Sequence, residues 1–350
     1  MNLGRVRAHA PGRVNLIGDH TDYTGGLVMP IAIQLGTTIE ARLTGEGVTL
    51  TTDLDTSTVS FDRIPGDPST VEPSWGRYVA AVASVVGRDR DLRGIDGVIT
   101  SDLPAGAGLS SSAALEVATA LALGAVGPPS RIASWCREAE EVATGVPCGI
   151  MDQLVSAAGV AEHALLIDCT TLEIEPVAID EGVEVLVVHS GQSRSLADSA
   201  YAERRFECLA AEQVIGPLAR ASPDDLDKLE VLEPLDHNDL VRRRARHIIS
   251  ENARVRAFAA AMRAGDRREA GALMTASHRS LRDDFEVSTP ALDALVDELT
   301  ATTGVLGARL TGAGFGGCVV ALCEAGAVPE VGTRLGWVVR ASGGARVESD

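Results

Sequence analysis

A glycine-rich segment that runs into three serines is the part of the sequence best suited to phosphate chemistry. In residues 103–116, LPAGAGLSSSAALE, two glycines closely precede three consecutive serines. Glycine lacks a Cβ, so backbone N–H groups can approach an anion, and the start of a helix adds unpaired donors and the positive end of its dipole. The segment therefore predicts a phosphate-binding turn at a helix N-terminus. Taken alone, the same pattern would also suit a dinucleotide-binding fold.

The single lysine of the chain limits how a phosphate could be bound. Lys228 lies in an acidic, polar stretch far from any glycine-rich segment. Neither the lysine of a Walker A loop nor the strand lysine of a protein kinase is therefore available. Phosphate binding would have to rely on backbone amides, hydroxyl groups, arginine and a metal ion.

Three further segments combine glycine with residues that could contact a ligand. They are residues 10–26 (APGRVNLIGDHTDYTGG), 147–153 (PCGIMDQ) and 310–318 (LTGAGFGGC). In the first, Asp19, His20 and Asp22 fall in a turn where they could converge on a polyol, although a solvated acidic turn would give the same pattern. Asp152 in the second begins a predicted helix, where aspartate is often only a cap. The third has four glycines in six residues, which indicates close approach to the backbone.

Composition narrows the classes of partner. The chain has 350 residues, of which 45% are hydrophobic, and this predicts two domains with large hydrophobic cores. Its formal net charge of −18 argues against nucleic acid or an anionic membrane surface as a partner. The six cysteines form neither a C-x-x-C pair nor a zinc-site spacing, so we expect reduced, mostly buried thiols. With no signal-peptide pattern and no apolar run of membrane-spanning length, the expected location is cytoplasmic.

Hydrophobic patterning predicts strands first and mainly helices later in the chain. Strands are predicted at 27–33, 36–43, 48–52, 97–100, 164–168, 183–189, 304–309 and 318–323. Helices are predicted at 112–126, 132–143 and from about 151, and at 240–264 and 267–282 within a helix-rich region, 197–302. A proline and an acidic pair at 176–182 favour a domain junction there. These elements place residues 106–112, which we call the serine turn, between a strand and a helix.

In their order and amino-acid sequence, the four segments resemble the motifs of the GHMP small-molecule kinases and, among them, of the galactokinase family. Residues 10–26 resemble the galactokinase signature, 103–116 the shared phosphate motif and 310–318 the third GHMP motif. Segments between these motifs are also similar to galactokinases, namely 164–169, 201–205 and 280–288. The resemblance therefore covers nearly the whole chain.

The resemblance implies an α+β protein with two lobes and an active site in the cleft between them. Residues 1–178 would form a ribosomal-protein-S5-like N-terminal lobe with the sugar signature, the phosphate turn and the catalytic aspartate. Residues 179–350 would form a helix-rich, ferredoxin-like C-terminal lobe. That lobe would carry the third glycine motif, Gly312, Gly314, Gly316 and Gly317. We expect a monomer or weak homo-oligomer whose partners are a sugar and ATP.

The reaction implied is ATP-dependent phosphorylation of the anomeric hydroxyl of a hexose, with galactose preferred, to give a sugar 1-phosphate and ADP. Asp152 would face that hydroxyl and take its proton late, because the neighbouring Arg13 stabilises the carboxylate and weakens it as a base. Arg13 would also offset charge on the transferring group. Ser112 and Glu140 would hold Mg²⁺. Trp75 would lie near adenine, although a core or hinge position is equally compatible.

The resemblance also assigns the remaining contacts residue by residue. The phosphates of ATP would lie against Gly106, Gly108, Leu109, Ser110, Ser111 and Ser112. The sugar would contact Asp19, His20, Asp22, Gly149 and Tyr201.

The sequence departs from the family pattern in ways that leave the sugar open. Galactokinases usually carry Glu where this chain has Asp19, the acid expected to contact the exocyclic hydroxyl of the sugar. Residues 188–194 also lack the asparagine-rich sequence that the family has at this place. Arabinose, a hexosamine, a uronic acid or a heptose remain alternatives to galactose. A galactokinase-like sensor without turnover is a second alternative, but such sensors depart from the serine turn, which is intact here. The dinucleotide-binding alternative lacks an acidic residue ending a second strand about 20 residues on.

Overall fold

Three β-sheets and the helices that cover them make up the described part of the chain, residues 4–104, 106–192, 197–232 and 238–349 of a computed structural model. The strands are β1 Arg5–Asn15, β2 Leu27–Val28, β3 Pro30–Thr44, β4 Val48–Thr52, β5 Thr58–Phe61, β6 Gly94–Ser101, β7 His163–Asp168, β8 Ile174–Ala178, β9 Val183–His189, β10 Val305–Thr311, β11 Cys318–Glu324, β12 Gly336–Val339 and β13 Arg346–Ser349. The α-helices are α1 Gly76–Val86, α2 Ser111–Ala122, α3 Pro129–Thr144, α4 Met151–Ala158, α5 Ala197–Ile215, α6 Asn238–Ala264, α7 Arg267–Asp283 and α8 Pro290–Thr300. Short 3-10 helices lie at Asp22–Thr24, Pro68–Thr70, Leu218–Arg220 and Pro223–Leu232.

The N-terminal half is built on a six-stranded sheet in the order β13-β1-β3-β6-β4-β5. Side chains at the start of β1 alternate between exposed and buried, as a strand with one covered face requires. The buried set includes Val6 and Ala8, which share a core cluster with Val82 of α1 and Val117 of α2. From Ala10 onward every residue of β1 is buried, because this end of the strand is covered on both faces. The strand thus carries its last residues into the interior, where the predicted site lies.

The C-terminal half is built on a four-stranded sheet in the order β10-β11-β9-β12, whose inner strands β11 and β9 are buried on both faces. Neighbouring residues of β9 show this, since Val187 packs in one cluster with Phe258 of α6, and Val188 in another with Leu292 of α8. A small third sheet, β2-β7-β8, lies against α6, which contacts both β2 and β8. Helix α6 therefore links the C-terminal helices to the segment that follows β1.

The predicted α+β fold is confirmed, and most predicted strands and helices coincide with observed ones within a few residues. The predicted strand 27–33 is in fact two strands, β2 and the start of β3, interrupted at Met29. Elements that the sequence analysis did not predict are β1, β5, α1, β8, β12 and β13. The end of the unusual 188–194 segment lies outside the described residues.

The division of the chain into residues 1–178 and 179–350 stays a prediction. The last strand crosses this boundary, because β13 pairs in antiparallel fashion with β1, with Val6 opposite Ser349. Residues 346–349 therefore belong to the sheet of the N-terminal half. The two halves share a sheet as well as a cleft.

Gly12 sits where β1 meets the serine turn. A Cβ at this position would lie 2.5 Å from the Leu109 carbonyl oxygen and 2.5 Å from Cδ2 of Leu103. Next to it, the Arg13 N–H donates to the same Leu109 carbonyl at 3.1 Å. The two backbones are thus in direct contact, and a side chain between them would push Arg13 away from the turn.

We predict that Gly12→Ala destabilises the protein by about 1–3 kcal/mol, the usual cost of forcing extra atoms into a packed interior. Urea unfolding followed by circular dichroism measures the change in unfolding free energy. The matched control is Gly66→Ala, because a Cβ there meets nothing within 4 Å. Equal effects of the two variants would contradict the contact described for Gly12.

Candidate active site

A bidentate ion pair between Arg13 and Asp152 stands at the centre of the predicted site. The Arg13 Nε donates to Asp152 Oδ1 at 2.7 Å, and Nη2 donates to Oδ2 at 2.5 Å. The third donor, Nη1, reaches the Gly108 carbonyl oxygen at 2.8 Å. The arginine side chain is buried, whereas the Asp152 side chain is 28% exposed. One guanidinium therefore joins the end of β1, the first turn of α4 and the serine turn.

The serine turn places its hydroxyls toward acidic partners. Gly106 and Gly108 adopt φ values of +71° and +73°, and Ser110 itself has φ +60°, a left-handed conformation that is strained for a residue with a Cβ. This conformation lets the Ser110 Oγ donate to Asp152 Oδ2 at 2.5 Å. Two residues on, the Ser112 Oγ donates to Glu140 Oε1 at 2.9 Å. Helix α2 begins between these two serines.

The pair of Ser112 and Glu140 fits the oxygen ligands that Mg²⁺ prefers. Burial and the nearby Asp152 raise the pKa of Glu140, and burial raises the pKa of Glu116 behind it well above its usual value. One Gln153 amide nitrogen donates to both of these glutamates, at 2.6 Å and 3.0 Å. A cation would offset this concentration of acidic groups. Within the described ranges, no cluster of three or more His, Cys, Asp or Glu could hold a metal ion.

The sugar turn, defined here as residues 18–27, carries three of the predicted sugar contacts. Asp19 is buried, with Oδ2 2.6 Å from Nη2 of Arg309 and Oδ1 accepting a hydrogen bond from the Gly312 N–H at 3.0 Å. Burial raises the pKa of Asp19, and Arg309 opposes that rise. His20 has φ +67°, and burial lowers its pKa to about 3, so its ring is neutral near pH 7. Both oxygens of Asp19 are thus engaged by the C-terminal half.

Asp22 of the sugar turn packs against Gly149, in the segment 147–153. Its Oδ2 lies so near Gly149 that a Cβ there would be 1.6 Å away, which explains why glycine occupies this position. Burial, and secondarily the charge of Asp152, raise the pKa of Asp22 to about 7. The Tyr201 ring packs 5.6 Å from the ring of His20. The turn, the α4 entrance and α5 therefore meet on one wall.

A cleft of about 470 Å³ unites these groups. The predicted site residues that line it are Arg13, Asp19, His20, Asp22, Gly106, Gly108, Ser110, Ser111, Ser112, Glu140, Gly149, Asp152, Tyr201 and Gly312. Residues that the sequence analysis missed are Tyr78, Thr144, Val146, Cys148, Met151 and Ala313. All six lie within four residues of a predicted site residue, so proximity in the chain was an available signal.

Five predicted residues do not line this cleft. Trp75 packs on the core cluster of the six-stranded sheet, and its Nε1 donates to Ser57 Oγ at 2.9 Å, so the structure places it where the hinge or core alternative would. Its adenine contact stays a prediction. Leu109 is buried beside the turn. The others are Gly314, Gly316 and Gly317, which have positive φ and shape the third glycine motif behind Gly312.

A larger cavity, of about 970 Å³, lies at the β4–β5 end of the six-stranded sheet. It is lined by other residues, among them Glu46, Asp62, Arg63 and Arg90. None of the predicted site residues is among those that line it. Volume alone would therefore point to the wrong place, whereas the ion pair and the serine turn identify the smaller cleft.

Family models match three parts of the chain. The galactokinase galactose-binding signature matches residues 4–43, the GHMP kinases N terminal domain residues 77–160, and the GHMP kinases C terminal domain residues 258–336. The human galactokinase is 43% identical over 97% of this chain and 91% of its own length. The chain belongs to the galactokinase family. The family resemblance inferred from the four motifs is thereby confirmed.

Solved structures agree with the galactokinase assignment. The crystal structure of Lactococcus lactis galactokinase complexed with galactose superposes with a TM-score of 0.86 and 30% identity, over 98% of this chain and 95% of that one. The Methanococcus jannaschii mevalonate kinase shares the fold, at 21% identity and a TM-score of 0.66 over 96% of this chain and 98% of that one. Among the described residues no helix is both long and apolar enough to cross a bilayer. The two-lobed GHMP kinase fold is therefore shown.

The raised pKa of Asp22 predicts a pH-dependent cost to folding. Its pKa is about 7 in the folded chain, against an ordinary 3.8, so between these values the folded state holds a proton that the unfolded state releases. This group therefore lowers stability as pH rises from about 4 to 7, by roughly 2 to 4 kcal/mol. Asp22→Asn removes this dependence and should gain stability over the parent chain at pH 8 relative to pH 5.

Urea unfolding at both pH values measures this difference in unfolding free energy. Asp96→Asn, on the surface in an ion pair with Arg42, is the control and should show no such gain at pH 8. A gain for Asp22→Asn that is the same at pH 5 and pH 8 would show that the Asp22 carboxyl does not titrate in this range.

Proposed function

We propose that this chain transfers the γ-phosphoryl group of ATP to the anomeric hydroxyl of galactose, giving galactose 1-phosphate and ADP. The observation that carries the proposal is the meeting of the Arg13–Asp152 pair, the serine turn and the sugar turn in one cleft. Family membership supports an ATP-dependent sugar kinase, since GHMP kinases use ATP as co-substrate. The galactose in the complex of the Lactococcus lactis relative supports the choice of sugar.

Asp152 is suited to orient the acceptor hydroxyl. Arg13 and Ser110 hold both of its oxygens, yet its side chain remains partly exposed to the cleft. A carboxylate fixed in this way keeps one geometry, and phosphoryl transfer depends mainly on such positioning. Asp152 orients the hydroxyl and accepts its proton late in the transfer. Arg13 also offsets negative charge that collects between acceptor and phosphate.

The serine turn is suited to the phosphates. Backbone amides at a glycine-rich turn before α2 offer donors without the lysine that other phosphate loops use. Ser112 and Glu140 would hold Mg²⁺ through their hydroxyl and carboxylate oxygens. Held there by Ser112 and Glu140, Mg²⁺ would offset the negative charge of the phosphates. The cluster of acids around Glu140 makes that counter-charge necessary for a nucleotide triphosphate to approach.

Three finer expectations belong to the same proposal. The chain acts as a monomer or weak homo-oligomer, in the cytoplasm, and without a nucleic-acid partner. The formal net charge of −18 supports the last of these, because nucleic-acid binding requires clustered positive charge.

A panel of free sugars with ATP and Mg²⁺, read by coupled ADP release, tests the proposed function. We expect galactose to give the highest kcat/KM, at least about tenfold above 6-deoxygalactose, which lacks one hydrogen-bonding hydroxyl. Arabinose, a hexosamine, galacturonic acid and a heptose are the other arms of the panel. A different preferred sugar would overturn the choice of galactose, and galactose binding without ADP release would favour a sensor.

The same panel tests Asp19 as the contact that discriminates at the exocyclic carbon. Asp19→Glu lengthens the side chain by one methylene beside Arg309 and should change the ranking of galactose, 6-deoxygalactose and galacturonic acid. The parent chain is the reference. If parent and variant rank the three sugars alike, Asp19 does not discriminate among them.

Asp152→Asn tests the role of the carboxylate. We expect turnover to fall about 100- to 10,000-fold, the range typical for loss of an acid–base group, with galactose affinity within about threefold of the parent. Steady-state kinetics gives kcat, and calorimetric titration with galactose gives the affinity. Near-normal turnover with normal sugar affinity would show that Asp152 has another role. Asp96→Asn serves again as the charge-matched control.

A further inference from the structure

Three side chains of α6 form hydrogen bonds to the backbone of the sugar turn. Helix α6 contacts β2, the strand into which the turn leads. The three are His247, Glu251 and Asn252, which we call the α6 clamp. His247 and Glu251 are four positions apart and project from the same side of the helix, and Asn252 follows Glu251 directly. All three are buried, and none is among the residues that line the cleft.

The α6 clamp holds the backbone of the sugar turn at both of its ends. At the start, the Gly18 N–H donates to Glu251 Oε1 at 3.0 Å. One residue on, Nε2 of His247 lies 3.3 Å from the Asp19 carbonyl oxygen and donates to it. At the end of the turn, the Leu27 N–H donates to Asn252 Oδ1 at 2.7 Å. The turn is therefore fixed through its main chain, and its side chains are left to face the cleft.

Glu251 is an unusual residue to find at such a place, because it is fully buried. Its carboxylate also accepts hydrogen bonds from Ser277 Oγ at 2.5 Å and from Arg254 Nε at 2.6 Å. Burial alone would raise the pKa of Glu251, but Arg254 and His247 lower it to about 2, so it stays ionised. A buried charge is tolerated only where such partners satisfy it. The Gly18 N–H is thus held by a strong, charge-assisted acceptor.

Glycines allow the turn to lie against α6 without intervening side chains. A Cβ at Gly18, where φ is +94°, would be 2.9 Å from Cγ2 of Val255. A Cβ at Gly26 would be 2.5 Å from Oδ1 of Asn252. The distance between helix and turn is therefore set by backbone contact and by the clamp hydrogen bonds.

We infer that the α6 clamp positions the sugar: by fixing the main chain of the sugar turn, it determines where Asp19, His20 and Asp22 stand in the cleft. This inference rests on the proposed function of that cleft. The clamp residues are positioning residues, because they act on the sugar through the turn and not by touching it. Losing one of them should impair sugar binding more than nucleotide binding, since the serine turn is held separately by Arg13.

Glu251→Gln and Asn252→Ala test the inference. For each variant we expect KM for galactose to rise about tenfold, while KM for ATP changes less than about twofold. Asn252→Ala removes the hydrogen bond to Leu27. Glu251→Gln leaves one acceptor oxygen where the carboxylate used two, so the donors from Gly18 and Arg254 can no longer both be satisfied. Coupled ADP-release kinetics gives both constants, and titration calorimetry with galactose alone gives the affinity independently. Asn252→Ala removes a single neutral contact, so it provides the answer if Glu251→Gln does not fold.

Val59→Ala is the stability-matched control. Val59 is fully buried in β5, in a core cluster that contains none of the clamp residues. It should lower the melting temperature while leaving the ratio of the two KM values unchanged. If the clamp variants behave like Val59→Ala, with both KM values unchanged or rising together, the inference is wrong.

The parent chain separates this result from failure of the proposed function. Absence of galactose turnover by the parent chain would count against the proposed function. Normal galactose turnover by the parent, combined with unaltered galactose KM in both clamp variants, would count against the α6 clamp alone.

Discussion

The buried pairing of Arg13 with Asp152 is the interaction on which the rest of the cleft depends. An arginine with so little access to water needs a partner for its charge, and the bidentate carboxylate supplies it. Because the third guanidinium nitrogen reaches Gly108, the same residue fixes the distance between the α4 entrance and the serine turn. One side chain therefore fixes the spacing between the α4 entrance, where the proposed acceptor would lie, and the serine turn, where the proposed phosphates would lie.

A strongly acidic chain manages its charges here by local pairing. Asp19 has Arg309, Asp152 has Arg13, and Glu251 has Arg254, each at hydrogen-bonding distance. Among the described residues, Asp22, Glu116 and Glu140 have no ion-pair partner, and burial raises the pKa of each. The groups that are paired hold the framework in place. Asp22 and Glu140 line the cleft, where the proposed sugar and Mg²⁺ would bring their own hydroxyls or charge, and Glu116 is buried behind Glu140.

The α+β fold and the site residues were expected from the resemblance of four ordered motifs to a known family. Local sequence was sufficient to predict the serine turn, because glycine and serine in a short motif indicate turn geometry. It was insufficient for β1, whose alternating start is short and whose end is buried on both faces. It was also insufficient for Arg309 and the α6 clamp. Their partners lie more than two hundred positions away in the sequence. The residues next to Glu251 give no indication that its side chain accepts a hydrogen bond from Gly18.

These long-range contacts have a consequence for how the protein acquires its ligand site. Gly18 and Glu251 are 233 positions apart, and Asp19 and Gly312 are 293 apart, so bringing them together costs conformational entropy. A partly folded chain would have the motifs without the pocket. A sugar that binds only the folded cleft would draw the folding equilibrium toward the native state by mass action. The proposed substrate would therefore also stabilise the protein against unfolding.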